Sequence, residues 1–575
     1  MNDIRRTILW VVFGFSLVML WDQWQISKGQ KPTFFPSPMT GPSAAAPATP
    51  ATGAPSANST PTPVAQAPVG QPPVSAPAQE AAKPVTHIEV QTDVLRLVLS
   101  SEGGSVVRAE LLQHQDAHRP GSHVVVMDDS TERVYLAQSG LIGAPNGGAW
   151  PTHKTPMVFS GAKTLQDGEN ELQARFESAP VGGIQLVKTY VLHRGSYAIE
   201  VRHELINQAS DTLNPQLYVQ LVRDGNKPAG ESSVYSTFTG PAVYTSQKKY
   251  QKVEFADIEK NKAEHEKQSQ QGYVAMVQHY FASAWLLDDT QQREIFTRKI
   301  DQNLYAVGMV APLPSLAPGS KLTQTSRLYV GPQEEKRLEA VYPGLELVKD
   351  YGWLTILSKP LYWLLYELNR VIGNWGWAIV ALVVLLKIAF YWLNSQAYQS
   401  MGKMKAVNPK IMALRERLKD NPQQLQMEMM RIYREEKVNP LGGCLPIVIQ
   451  IPFFIALYSV LLSSVEMRNA PWIGWVKDLA APDPWYILPL LMTATSLFQT
   501  WLNPTPPDPI QAKMMWFMPL AFGIMFFFFP AGLVLYWLTN NILSIAQQWM
   551  INRQLGLNRS EEHTSELQSR LHLVC

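Results

Sequence analysis

One lysine, Lys387, stands inside the apolar run LVVLLKIAFYWL. A lysine at mid-membrane costs roughly 2.5–3.5 kcal/mol and less near the surface. Lys387 lies about 9 Å from the end of its run at ~1.5 Å per residue. Either its stem snorkels to the headgroups, or its ammonium faces a water-filled cavity where it attracts carboxylates. A lysine nearer the end would cost less, which favours the cavity. Gln450 follows in LPIVIQIP beside Pro452, which should bend a helix and leave a carbonyl free. Gln450 therefore either bonds another helix or lines the same cavity. The last apolar run carries Tyr536, Trp537, Thr539, Asn540 and Asn541, a polar stripe that must face protein or water rather than lipid.

Other chemistries lack their residues. The sequence holds no GxxxxGK[ST] phosphate loop, no HExxH, no GxSxG and no Cys/His cluster. No catalytic residue, no metal and no cofactor is therefore expected. Its two cysteines, Cys444 and Cys575, exclude a disulfide framework. A net charge of +2 gives no reason to expect sequence-specific nucleic-acid binding. The apolar runs 375–393, 445–465, 485–502 and 514–549 contain no Asp or Glu, which argues against ion-coupled transport.

The elements that hold these residues are uneven along the 575-residue chain. Of 17 tryptophans, only Trp150 and Trp285 lie between residues 31 and 350, so the membrane parts lie outside that stretch. Residues 1–30 read as an uncleaved transmembrane anchor, because no small-residue cleavage site follows the apolar run 8–21. Residues 31–85 hold 14 prolines and almost no charge, and read as an extended tether. Short alternating runs such as QLVKTYVLH and YAIEVRHELIN fill 86–345 and predict a large antiparallel β-sandwich. In it Tyr197, Ile199, Val201 and Leu205 share one face, and the charged stretch 256–271 reads as a solvated loop. Residues 346–372 predict an interfacial amphipathic helix. Residues 373–554 predict a five-span helical core, since the 36-residue run 514–549 must break at Phe529-Pro530-Ala531-Gly532. The span over 515–529 would then be short, about 22 Å against a hydrocarbon core of ~30 Å.

The segment 394–444 carries nine Lys/Arg against two in 466–484, which puts it in the cytoplasm and the β domain outside. It reads as a helical hairpin, with Asn408-Pro409 and Asn421-Pro422 each a cap followed by proline at the first helical position. Met412, Met427, Met429 and Met430 either offer an adaptable apolar surface or fill the hairpin's small core.

The segments KDYGWL (349–354), GNWGWAI (373–379), NPKIMALRERL (408–418), EEKVNPLGGCLPIVIQIPFFIALY (435–458), DPWYILPLLM (483–492) and FPAGLVLYW (529–537) closely resemble the YidC membrane-protein insertases of Gram-negative type. The resemblance covers 351–553. It implies a multi-domain membrane protein: an N-terminal anchor helix, an all-β periplasmic supersandwich similar to mutarotase-like folds, and a five-span α-helical insertase core with a cytoplasmic hairpin. It implies a substrate groove at Lys387, Gln450, Tyr536 and Trp537, to which the polar stripe of the last run adds Asn540. The family's groove cation falls on Lys387, where many members carry arginine. A polar groove position one turn earlier is Val383 here, a departure. The implied role is insertion and folding of nascent inner-membrane proteins, alone or with the Sec translocon, with the translating ribosome and membrane lipids as further partners. A transporter or lipid scramblase built on the same groove is the rival reading. Beyond Gln554 the resemblance stops, and 555–575, with its adapter-like RSEEHTSELQS, reads as a non-native tail.

Overall fold

A computed structural model describes residues 85–117, 119, 121–228, 237–418, 421–436, 445–503 and 509–554. The expected anchor, nearly all of the tether, Cys444 and the 555–575 tail lie outside these residues. Two compact units part between Asp350 and Tyr351.

The first unit is built from strands. In chain order these are β1 (His87–Gln91), β2 (Leu95–Ser100), β3 (Val106–Gln115), β4 (His123–Asp129), β5 (Val134–Ile142), β6 (Met157–Gly161), β7 (Glu171–Ser178), β8 (Ile184–His193) and β9 (Ala198–Asn207). Then follow β10 (Gln216–Asp224), β11 (Gly240–Thr245), β12 (Lys249–Lys252), β13 (Gln268–Ser269), β14 (Gly272–Val277), β15 (Phe281–Leu287), β16 (Arg293–Asp301), β17 (Leu304–Pro312) and β18 (Lys321–Pro332). They form two nine-stranded sheets, ordered β1-β2-β3-β4-β5-β10-β17-β16-β13 and β12-β11-β14-β15-β18-β9-β8-β7-β6. The expected β-sandwich is present. Alternation decides which face is inner: on β9 Ile199, Val201 and Leu205 are fully buried, as the period of two requires. Trp285 of the second sheet donates its indole N–H to the Gln220 carbonyl of the first at 3.1 Å and is itself fully buried.

That inner face also takes polar groups. His203, one step along the same face of β9, is fully buried, with Nε2 2.9 Å from Ser139 Oγ of the facing sheet. Lys188 Nζ donates to the carbonyls of Gly103 (2.6 Å) and Ser139 (2.7 Å). Buried polar groups persist only when so partnered. Burial, with Lys188 adding to it, pushes His203 down to about 3, and burial does the same to His153. Both imidazoles are therefore neutral in the fold, whereas the unfolded chain protonates them near pH 6.5. Stability is held above that pH and falls between about pH 6.5 and 3, by roughly 1.4 kcal/mol per pH unit per histidine. The urea midpoint of the β-sheet circular dichroism should drop between pH 7 and 4.5, and His203→Gln should flatten that slope by about half. An equal slope in the variant would exclude His203 as the source.

The stretch 256–271 is not wholly a solvated loop. A helical turn, α1 (Phe255–Glu259), docks Ile258 against Val253 and Tyr305. One apolar residue among many charged ones is enough to anchor a turn, because its burial outweighs the free exposure of its neighbours. Helix α2 (Glu335–Val341) follows the last strand.

The second unit is helical: α3 (Thr355–Ile372), α4 (Trp375–Ala389), α5 (Tyr391–Arg417), α6 (Pro422–Glu435), α7 (Leu445–Ser463), α8 (Ile487–Leu502), α9 (Pro509–Phe526) and α10 (Ala531–Gln554). The apolar runs within the described residues are helical, with 375–393 and 514–549 each divided between two helices. Among the described residues no single helix is long and apolar enough to cross a membrane by itself, while α4 with Tyr391–Ala397, bent by 64°, meets that length and composition together. The amphipathic stripe of α3 divides. Leu361 and Leu365 are buried with Ser358 and Tyr362 where α3 packs on α4 and α7, and Ile356 and Trp363 stay exposed.

Two boundaries differ from the sequence reading. Asn408 caps no helix, because α5 runs unbroken for 27 residues with Pro409 inside it. Met404, Val407 and Ile411 must share one face to pack on Met429, Ile432 and Tyr433 of α6, and that packing keeps the turn helical. Asn421 does cap α6, its side chain accepting from the Gln424 N–H at 3.3 Å. The span expected over 515–529 lies in a helix that begins at Pro509 and ends at Phe526, and its apolar part, Ala512–Phe526, is short as expected but displaced by three residues.

Candidate functional site

Lys387 reaches its position because Asn374 starts α4, its Oδ1 accepting from the Trp377 N–H at 3.1 Å. Three turns of apolar residues then carry the chain inward to the lysine. Gly376 allows this approach: a Cβ there would meet the Trp472 indole at 2.2 Å. At Phe390 the chain bends into α5. Four helices meet around a cavity of about 30 Å³, room for a water or two. Helix α4 lines it with Val383, Leu386 and Lys387, the bend with Phe390, α5 with Leu393 and Asn394, α7 with Gln450 and Phe453, and α10 with Tyr536 and Asn540.

The polar groups there form a chain. Lys387 Nζ donates to Ser544 Oγ at 2.7 Å, and Ser544 Oγ donates to the Asn540 carbonyl at 2.7 Å. Gln450 Nε2 donates to Asn540 Oδ1 at 3.0 Å. Asn394 Nδ2 approaches Gln547 Oε1 at 3.4 Å. The lysine is partly buried and sits in the last turn of α4, where a cation complements the helix C-terminus. Such a site can hold water and attract an anionic segment. Sequence reasoning passed over Ser544, although Asn540, Ser544 and Gln547 repeat at helical spacing on one face. Two further polar side chains of α10 reach α8 and its end: Asn541 Nδ2 donates to Ser496 Oγ at 2.7 Å and Gln548 Nε2 to Asn503 Oδ1 at 3.0 Å, while Thr539 donates to the Leu535 carbonyl of its own helix.

Four of the five expected groove residues thus come together: Lys387, Gln450, Tyr536 and Asn540. Trp537, next on α10, points elsewhere. Its ring stands edge-on to Phe454 at 4.5 Å and against Phe526 at 5.3 Å. Adjacent helical residues diverge by ~100°, so a pair of neighbours cannot both face one cavity squarely. Val383, the departure from the family's polar position, is 2% exposed and adds an apolar wall. The hairpin methionines also divide. Met412, Met427 and Met430 are exposed, while Met429 packs in the small core of α5 and α6.

Fold and site together define a β-sandwich protein with an apolar helical core that carries a polar, cation-bearing cavity. Residues 87–364 match the family model described as YidC periplasmic domain, and 367–558 match that of the 60Kd inner membrane protein. The chain is 53% identical over 563 residues to the membrane protein insertase YidC of Ralstonia nicotianae, covering 97% of this chain and 99% of that one. It is 52% identical to the one of Cupriavidus metallidurans, at the same coverage. The chain belongs to the YidC family of membrane protein insertases. Among solved structures, an active YidC insertase crystal structure with its first transmembrane domain resolved overlaps 80% of this chain and 91% of that one, at 18% identity and a TM-score of 0.37.

Proposed function

We propose that the cavity is a groove, open to cytoplasm and lipid, through which nascent inner-membrane proteins enter the bilayer. The observation that carries this reading is the polar chain Lys387–Ser544–Asn540–Gln450 with a lysine at its end, set among helices whose buried residues are mostly apolar. Polar side chains at that depth are costly unless they meet water or a polar ligand. A short acidic tail of a substrate enters the wet groove toward Lys387, and its apolar segment slides into lipid. About twenty apolar residues at ~0.3–0.6 kcal/mol each release roughly 6–12 kcal/mol, against ~3 kcal/mol for each charge carried across. Tails with one or two charges therefore need no fuel, and longer charged tails need the Sec translocon.

The charge asymmetry of the connecting segments supports the orientation. The α5–α6 hairpin lies in the cytoplasm, the β domain in the periplasm, and the N-terminal anchor starts inside. Five spans form the core in a Gram-negative inner membrane, with α4 and the start of α5 acting as one bent span. The exposed Met412, Met427 and Met430 suit contact with varied apolar segments leaving the ribosome. The partners are nascent chains, the translating ribosome, the Sec translocon and its accessory subunits, and lipids. The chain uses no cofactor and is not an enzyme.

The test is photo-crosslinking to ribosome-bound nascent chains. A probe at Gln450 should give several-fold more adduct than one at Trp537, which faces Phe454 and Phe526. If Gln450 gives no adduct while liposomes carrying the protein pass solute or lipid without nascent chains, the groove belongs to a transporter or scramblase.

A further inference from the structure

We propose that Asp483 is a positioning residue that holds the loop 470–483 as the outer seal of the groove; this rests on the groove reading above. Asp483 is 1% exposed. Its Oδ1 accepts from Trp475 Nε1 (2.9 Å) and the Trp485 N–H (3.0 Å), and its Oδ2 accepts from the Leu488 N–H (2.8 Å). The two indoles lie parallel, 6.0 Å apart. One carboxylate thus fixes both the start of α8 and the return of the loop.

The loop in turn grips two groove helices. The Ala531 N–H donates to the Ala481 carbonyl (2.8 Å) and the Gly532 N–H to the Leu479 carbonyl (2.9 Å). These are amides that the first turn of α10 cannot satisfy within the helix. Asn374 Nδ2 donates to the carbonyls of Pro471 (3.1 Å) and Trp472 (3.2 Å), which ties the start of α4. Under the loop the packing is apolar: Ile379, Leu479 and Ala531 are buried, a Cβ on Gly532 would stand 3.1 Å from the Leu479 carbonyl and 3.5 Å from Ile379 Cδ1, and the small cavity beside them is lined by apolar residues such as Leu461, Met467 and Leu533. The cavity begins at Val383 and Tyr536, four residues further along each helix. Four residues are about 6 Å. A seal one turn thick depends on the loop being held in place, and Asp483 is the buried charge that holds it.

Asp483→Asn keeps the shape but replaces one acceptor oxygen with an amide donor, so at least one of the three N–H groups loses its partner. The test uses full-length protein with Asn540→Cys as reporter in a Cys444→Ser, Cys575→Ser background. A membrane-impermeant maleimide is applied from the periplasmic side in right-side-out vesicles and from the cytoplasmic side in inverted ones. Asp483→Asn should raise periplasmic-side labelling at least about tenfold, the factor for losing one charge-assisted hydrogen bond from a two-state closure. Cytoplasmic-side labelling should stay at the reference rate, a sidedness that general unfolding would not preserve. Trp475→Phe, which removes only the indole donor, should give a smaller rise and decides the matter if Asp483→Asn does not accumulate. Unchanged periplasmic-side labelling in the variant that accumulates overturns the proposal. Failure of the reference protein to label from the cytoplasmic side would instead defeat the groove reading.

Discussion

Lys387→Glu is expected to lower insertion of single-span substrates with acidic tails by about a hundredfold, while neutral-tailed substrates change little. The ammonium is the cation that lines the cavity, held against Ser544 by a 2.7 Å hydrogen bond. Two unit charges 4 Å apart attract with about 4 kcal/mol at an effective dielectric of ~20. Water in the groove and the Ser544 contact reduce the net gain to the order of 1–2 kcal/mol, about tenfold in rate. Lys387→Ala forfeits that attraction, and Lys387→Glu replaces it with repulsion of similar size. Lys387→Arg keeps the charge and should retain most activity. Protease protection in proteoliposomes, with one substrate bearing either an acidic or a neutral tail, measures the difference. An equal fall for both tails would mean that Lys387 serves only to tie α4 to α10.

Arg293→Met should destabilise the β domain by about 3–5 kcal/mol, among the larger effects a single substitution produces. The guanidinium side chain is wholly buried. Nη1 donates to the carbonyls of Gly272 (3.2 Å) and Leu287 (3.3 Å), and Nη2 to those of Gln270 (2.5 Å), Asp288 and Gln291 (3.2 Å). One side chain thereby closes the turn before β14, the end of β15 and the approach to β16. Each carbonyl left buried without a partner costs about 1–3 kcal/mol, partly recovered where water enters. Arg293→Lys should rescue little, since a single ammonium cannot serve five acceptors held in a fork. The urea midpoint of the β domain and its rate of cleavage by thermolysin, which cuts beside apolar residues and so keeps its sites in the variant, report the loss. A midpoint within about 1 kcal/mol of the unaltered protein would refute the assignment.

The strands and the apolar helices were legible because their signals are local. Period-two alternation marked β8 and β9, and Asn374 and Asn421 each lie three residues before the amide they accept from. Lys387 stood out because its neighbours in the run are apolar. The proline at 409 misled for the complementary reason: a local breaker was overridden by the contacts of Val407 and Ile411 with α6. In GNWGWAI the glycine at 376 was visible, yet its purpose depends on Trp472, nearly a hundred residues away.

By itself, then, the sequence determined that a β-rich stretch precedes a helical one, the faces of the strands, the apolar runs from 375 onward and the one cation set among those runs. Tertiary structure alone decided that Ser544, 157 residues from Lys387, is its partner, that Tyr536 lines the cavity while Trp537 turns to Phe526, and that His203 meets Ser139 across the sheets. Periodicity and capping depend on residues within a turn or a strand of one another. Which side chains meet across elements depends on helix rotation and sheet packing, and these follow from filling the space between elements without voids.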